Sequence, residues 1–286
     1  MPELPEVQAL VAGLSERLRG LGTARIELAS FSALKTVEPG VRALEGEVVG
    51  GAERRGKFVC IAIGDLWLVT HLARGGWITW YETVPTATAR PSKSKIAMRV
   101  RMEDASGFDI TEMGTEKRLA LWVVHSPQDV GPVRSLGIDP FDAAFTAGRL
   151  GELLHGLPAT LKTALTTQSL IAGVGNAYSD EALHRAKLSP FKKASTLDAD
   201  GVARLHSALV GVLGEAVERS SGLGLGELKR DKKSAMEVHG RTGEACPVCG
   251  DTVRQVSYAT KSMQYCPTCQ TGGKILADRR LSRLLK

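Results

Sequence analysis

Apolar residues first recur at helical intervals. Leu4, Val7, Leu10, Val11, Leu14 and Leu18 stand three or four apart, on one face of an α-helix, and Gly20 and Gly22 close the run. The period then shortens. Residues 25–30, 41–53, 57–63, 66–71, 77–82, 95–103, 107–111 and 118–125 read as short strands separated by Gly-rich turns. Many short strands with such turns predict an antiparallel β-sandwich. Residues 83–94, rich in Pro, Thr, Ser and Lys, predict a flexible loop within it. From residue 142 the helical period returns, over 142–154, 159–167 and 198–220, after an interdomain turn at 135–140. A Gly-rich hinge or linker at 221–227 and a short basic run at 229–233 follow. The fold class is therefore α+β and multidomain. The boundaries fall at 1–134 (helix and sandwich), 135–228 (helical), 229–270 (a cysteine-bearing hairpin) and 271–286 (a basic tail).

Composition changes this picture little. The chain has 286 residues, enough for two domains of ordinary size, and 43% hydrophobic residues, enough for packed cores. No apolar run approaches the ~18 residues of a membrane span, and the N-terminus lacks the pattern of a secretory signal. The expectation is a cytoplasmic protein without membrane contact. Net charge is +6, and its distribution matters more than its size. From Lys229 onward twelve basic residues face five acidic ones, so this stretch holds the whole excess; by composition it suits a polyanionic partner and a solvated basic tail equally.

Cys246-Pro-Val-Cys249 and Cys266-Pro-Thr-Cys269 are separated by the roughly 15–20 residues of a four-cysteine ribbon. Thiolates suit tetrahedral zinc, and a cytoplasmic setting disfavours disulfides, so one structural zinc is expected on Cys246, Cys249, Cys266 and Cys269. Cys60 reads as a buried thiol packing as a small hydrophobe. Pro2, once Met1 is removed, carries a secondary α-amine. Such a group titrates at about 7.7–8.0, against about 10.4 for lysine, so part of it is neutral and nucleophilic at neutral pH. Attack on a sugar C1′ gives an iminium, an electron sink for elimination. Glu3 beside it can move protons. In Gly173-Val-Gly-Asn176 two glycines allow a tight turn, and Asn176 then opens a helix, either as the cap of an ordinary helical hairpin or as a site whose free N–H groups favour phosphate.

The opening Met1-Pro-Glu-Leu-Pro-Glu-Val7 resembles the start of the formamidopyrimidine-DNA glycosylase / endonuclease VIII family, closest to its formamidopyrimidine branch. The resemblance continues in family order through Gly56-Lys57-Phe58, His71-Leu-Ala-Arg-Gly-Gly76, the stretch 168–183, similar to the family's helix–two-turn–helix, and the four-cysteine finger. It implies a bifunctional DNA glycosylase and abasic-site lyase of base excision repair. The protein would act as a monomer on double-stranded DNA carrying a damaged base or an abasic site, in a bacterial-type cytoplasm where it associates with the nucleoid. Pro2 would be the Schiff-base nucleophile and Glu3 the acid/base. Lys57 and Lys261 would assist elimination. Glu6, His71, Arg74, Asn176 and Lys261 would line the DNA site.

The chain departs from the family pattern at several places. Arg74 stands where the family has a Met that fills the gap left by the everted base. The second wedge segment, Asp-x-Arg-Arg-Phe-Gly, should fall near 109–119, where this chain has no Arg-Phe. The loop that covers the flipped base in the formamidopyrimidine branch is short here, and Lys261 replaces an Arg, keeping the charge without the bidentate fork. A damaged-DNA-binding protein that has lost base excision is the alternative these changes favour; a zinc-ribbon interaction module is a third. Residues 270–286, with Ile275, Leu276, Leu281, Leu284 and Leu285 among Arg279, Arg280, Arg283 and Lys286, predict a short amphipathic helix packed back on the finger.

Overall fold

The structure is a computed structural model that describes residues 1–90, 95–258 and 262–277. Two compact units are present. The first comprises Met1–Leu136 together with Arg219–Leu228, and the second Gly137–Glu218 together with the described residues from Lys229 onward.

The first unit is built on α1 (Leu4–Leu18), which buries Leu4, Val7, Leu10, Val11, Leu14 and Leu18. Glu3 and Glu6 close its N-terminus as a reciprocal capping box. Two four-stranded antiparallel sheets follow. One has the order β1 (Thr23–Leu28), β6 (Ile96–Met102), β7 (Gly107–Glu112), β5 (Gly76–Tyr81). The other runs β2 (Val49–Arg55), β3 (Phe58–Ile63), β4 (Leu66–His71), β8 (Ala120–Val124). Helix α1 packs on β2 and β3. Strand β3 is apolar throughout because both of its faces are covered. Val59, Ile61 and Ile63 join the main core with α1, while Phe58 and Cys60 pack with Val69, Val124, Val130 and Val133 on the other side. Val133 lies on the short helix α2 (Gly131–Arg134).

Three expectations for this unit are corrected. Residues 41–44 form a 3-10 turn, and the strand begins only at Val49. The described part of the 83–94 loop is pinned, because buried Arg99 and Glu27 reach into it. Arg99, bidentate to Asp109 at 2.6 and 2.7 Å, donates to the carbonyls of Pro85 and Ala87, and the Glu27 carboxylate accepts the Ala89 N–H at 2.8 Å. Nor are residues 221–227 a free linker. Leu225 and Leu228 are buried in the core of this unit, and the Trp77 indole donates to the Leu225 carbonyl at 3.1 Å.

The second unit contains α3 (Ala147–Leu154), α4 (Leu161–Thr166), α5 (Asn176–Arg185), α6 (Ala199–Ser220, its last two residues in the other unit), α7 (Leu228–Ser234, its first residue in the other unit), the hairpin β9 (Arg254–Ser257) and β10 (Ser262–Tyr265), and α8 (Pro267–Thr271). Helix α3 starts at 147, not 142. Asp139 and Asp142 accept the N–H groups of Phe141 and Ala144, which makes turns of this stretch, and Thr146 then caps the helix through the Arg149 N–H. The basic run after residue 228 is helical, as α7. Leu276 packs on the hairpin, and its N–H donates to the Tyr265 hydroxyl at 2.8 Å. The rest of the expected tail helix, 278–286, lies outside the described residues. Among the described residues no helix is long and apolar enough to cross a membrane.

Candidate functional site

In the first unit, sequence and packing converge on the start of α1. Pro2 is buried, and Glu3 and Glu6 are 2% and 1% exposed. The Glu6 carboxylate accepts the Glu3 N–H at 2.8 Å, which fixes the backbone immediately after Pro2. Burial of Leu4 and Val7 on the same helix holds this end against the core. The Gln8 amide oxygen accepts from Arg54 Nε at 2.8 Å, and the same guanidinium reaches the Gly56 carbonyl at 3.3 Å. This links α1 to the two-residue turn that carries Lys57. Gly56 has φ +55°, the left-handed conformation such a hairpin turn requires. Lys57 therefore sits in the turn between β2 and β3 rather than at a strand head, and it is buried.

His71 ends β4 directly across from Phe58, with ring centroids 4.8 Å apart. Burial, with a further contribution from the Lys57 charge, lowers its pKa from an ordinary 6.5 to about 4. The folded protein thus keeps this ring neutral where the unfolded chain would protonate it. Its contribution to stability is complete above pH 6.5 and is lost as pH falls toward 4. Urea midpoints are therefore expected to drop across that window, and His71→Gln to flatten part of the slope. An unchanged slope in the variant would contradict the assignment. Burial likewise pushes the Cys60 thiol up to about 12, as expected of an inert packed sulfur.

After His71 the chain turns through Leu72–Gly75. Ala73 adopts φ +48° and Arg74 is exposed. A Cβ on Gly75 would meet the Met113 carbonyl oxygen at 2.1 Å, so this loop and the β7–β8 loop approach too closely for any other residue. The Met113 N–H donates to the Gly75 carbonyl at 3.0 Å, and its side chain is 45% exposed. Asp109 lies inside β7, paired with Arg99, and does not begin this loop. The acidic residue that shapes it is Glu112, whose carboxylate accepts the Arg118 and Leu119 N–H groups at 2.6 and 2.8 Å. Met113 is an exposed apolar residue before Gly114 in an otherwise polar turn.

In the second unit, α5 is the organising element. Asn176 is its first residue, and its amide donates to the Ser262 carbonyl in β10 at 2.6 Å. Asp180, fully buried, accepts from Lys162 Nζ at 2.5 Å, pairs with His239 Nδ1 at 2.7 Å, and accepts the Gln264 N–H at 3.2 Å. Glu181 accepts three successive backbone N–H groups, those of Glu237, Val238 and His239. Burial nonetheless raises its carboxyl above the ordinary value. One helix thus holds both the hairpin and the segment leading to the first cysteine pair. Lys261 lies outside the described residues.

The sulfurs of Cys246, Cys249, Cys266 and Cys269 all lie within 4.8 Å of one another, and none is in a disulfide. Cys249 approaches Cys266 at 3.3 Å, and Cys246 approaches Cys269 at 3.9 Å. Burial pushes Cys266 up to about 11, whereas the Asp251 N–H draws Cys249 down. Four sulfurs converging within 4.8 Å fit one cation that takes them all as thiolates.

A family model for the formamidopyrimidine-DNA glycosylase N-terminal domain matches residues 1–115, and one for the H2TH domain of the same enzymes matches residues 136–225. The formamidopyrimidine-DNA glycosylase of Symbiobacterium thermophilum is 33% identical over 293 residues, covering 98% of this chain and 93% of that protein. The chain belongs to the formamidopyrimidine-DNA glycosylase family. An uncharacterized formamidopyrimidine-DNA glycosylase-like protein of Mycobacterium tuberculosis is 57% identical over 153 residues, which is 54% of this chain and 96% of that protein. Among solved structures, the Lactococcus lactis Fpg in complex with abasic-site DNA superposes with a TM-score of 0.82 at 25% identity, covering 94% of this chain and 99% of that one. Within the formamidopyrimidine-DNA glycosylase frame, the start of α1, the Lys57 turn and His71 share the first unit. Asn176 and the cysteine cluster share the second.

Proposed function

We propose that this chain is a DNA glycosylase with abasic-site lyase activity, acting on damaged DNA in repair. The carrying observation is the buried Pro2-Glu3 pair, locked at the head of α1 by Glu6. With Met1 removed, the Pro2 amine attacks C1′ of the damaged nucleotide and displaces the base. Glu3 supplies or accepts the proton that this exchange requires. The C1′–O4′ bond of the resulting aminal then opens, with O4′ taking a proton, to give the iminium; this acidifies C2′, and loss of that proton expels the 3′ phosphate by β-elimination. Lys57 and Lys261 act on the adjacent phosphates. His71, Arg74 and Asn176 are assigned to the DNA contact, and Glu6 to supporting the pocket.

The four cysteines are assigned to one zinc ion. Four sulfurs leave no open position, so the metal's part is to hold the finger in shape. The test of the function is a panel of duplexes with single defined lesions, scored for strand cleavage and for covalent trapping by borohydride. Absence of both on abasic DNA would leave the alternative, a damaged-DNA-binding protein without excision. That alternative is favoured by Arg74 at the family's Met position.

Abasic-site cleavage is expected to outpace excision of 8-oxoguanine. Lyase chemistry needs only the amine, its proton partner and a phosphate grip. Excision must also evert a stacked base, at roughly a few kcal/mol. Arg74 lacks the apolar wedge, and exposed Met113 on the neighbouring loop is assigned to fill it. Single-turnover rates on one duplex carrying either lesion should differ. Met113→Ala should slow 8-oxoguanine excision while sparing abasic cleavage; equal losses on both substrates would remove the wedge role.

A further inference from the structure

The four-cysteine cluster has a partner outside its own sulfurs. His184, on the last turn of α5, is 2% exposed, and its Nε2 lies 3.3 Å from the Cys246 sulfur. Its Nδ1 lies 3.1 Å from the Glu237 carboxylate, which fixes the ring's rotation. Cys246 is itself buried, so no water competes for this sulfur as readily as at exposed Cys249. The backbone of Glu237 is held in turn by Glu181 of the same helix at 2.7 Å. The helix that carries His184 therefore also holds the backbone of the residue its Nδ1 meets.

From this geometry we infer that His184 is a positioning residue for the metal, with Glu237 as its orienting partner. Its Nε2–H donates to the Cys246 thiolate and its Nδ1–H to the Glu237 carboxylate, so the ring facing these two acceptors carries both protons. A thiolate that binds a cation still carries lone-pair charge, and four of them on a divalent ion leave the cluster with net negative charge. A hydrogen bond from a buried donor lowers the cost of that charge and presents the sulfur in its ligating orientation. Partners of this kind change metal affinity by about 10- to 100-fold when removed. The inference rests on the assignment of the cysteines to a metal.

The test uses the full chain and begins with the metal content of the native protein. A value near zero would sink the metal assignment and this inference with it. With about one metal per chain, release to a colorimetric chelator is compared among wild type, His184→Phe, His184→Asn and His184→Gln. Phenylalanine fills the ring's space without a donor. Asparagine reaches only the Nδ1 position, whereas glutamine carries an N–H to the Nε2 position. Release should be about 10-fold or more faster for Phe and Asn, and close to wild type for Gln. In cobalt-substituted protein the sulfur-to-metal charge-transfer band should shift for Phe and Asn and return for Gln. If His184→Phe does not fold, the Asn–Gln pair carries the comparison. Equal release by Asn and Gln, or equal losses of thermal stability with and without metal, would show that His184 merely packs.

Discussion

A protein that retains an uncleaved N-terminal tag is expected to lose both strand cleavage at abasic sites and trapping by borohydride. The loss should be on the order of 10³-fold or more, the scale seen when a covalent nucleophile is removed. An amide-bonded proline nitrogen has no lone pair to offer, so the iminium cannot form. DNA binding should survive, because the phosphate contacts do not need the amine. Pro2→Gly is a poorer control, since its new primary amine can still form a Schiff base. The decisive comparison is one preparation before and after the tag is removed to leave Pro2 first. Undiminished trapping by the tagged form would place the nucleophile elsewhere, with buried Lys57 the next residue to test.

Cys249→Ser should lose the metal and weaken binding to abasic duplex by at least about tenfold. Metal binding free energy is folding free energy for small sites of this type. The hairpin between the pairs has only four residues in each strand, too few for stability on their own. Without the metal the hairpin keeps the grip of α5, through Asn176 on Ser262 and Asp180 on Gln264, and the packing of Phe191 and Leu276 on Val256, Met263 and Tyr265. Proteolysis should accordingly cut near the hairpin first, leaving the helices intact. Full metal content in Cys249→Ser, or unchanged affinity after metal loss, would overturn the assignment.

Much of this arrangement was legible in the sequence because its signals were periodic or spaced. The apolar face of α1, the alternation of short strands and the two Cys-x-x-Cys pairs each carry a strong local rule. The helix–two-turn–helix reading rested on order and resemblance rather than on period. What escaped was set by long-range polar contacts. Nothing local announces that Arg99 and Glu27 will hold residues 85–89, or that Leu225 will sit in the sandwich core beside Trp77. The start of α3 was misplaced because two Asp side chains compete with the helix for backbone N–H groups. His184 was invisible for a similar reason. A histidine on a helix gains its meaning only when a cysteine 62 residues later is brought beside it.

The return of residues 219–228 to the first unit orders events during synthesis. A nascent chain that has reached residue 136 holds all eight sandwich strands but lacks Leu225 and Leu228, which belong to their common core, and the carbonyl that the Trp77 indole requires. Its apolar surface stays open until some ninety further residues have left the ribosome, about 5–20 s at ordinary elongation rates. Over that interval the intervening helices have time to fold. A fragment ending at residue 136 should bind a hydrophobic dye and aggregate, whereas the full chain should do neither.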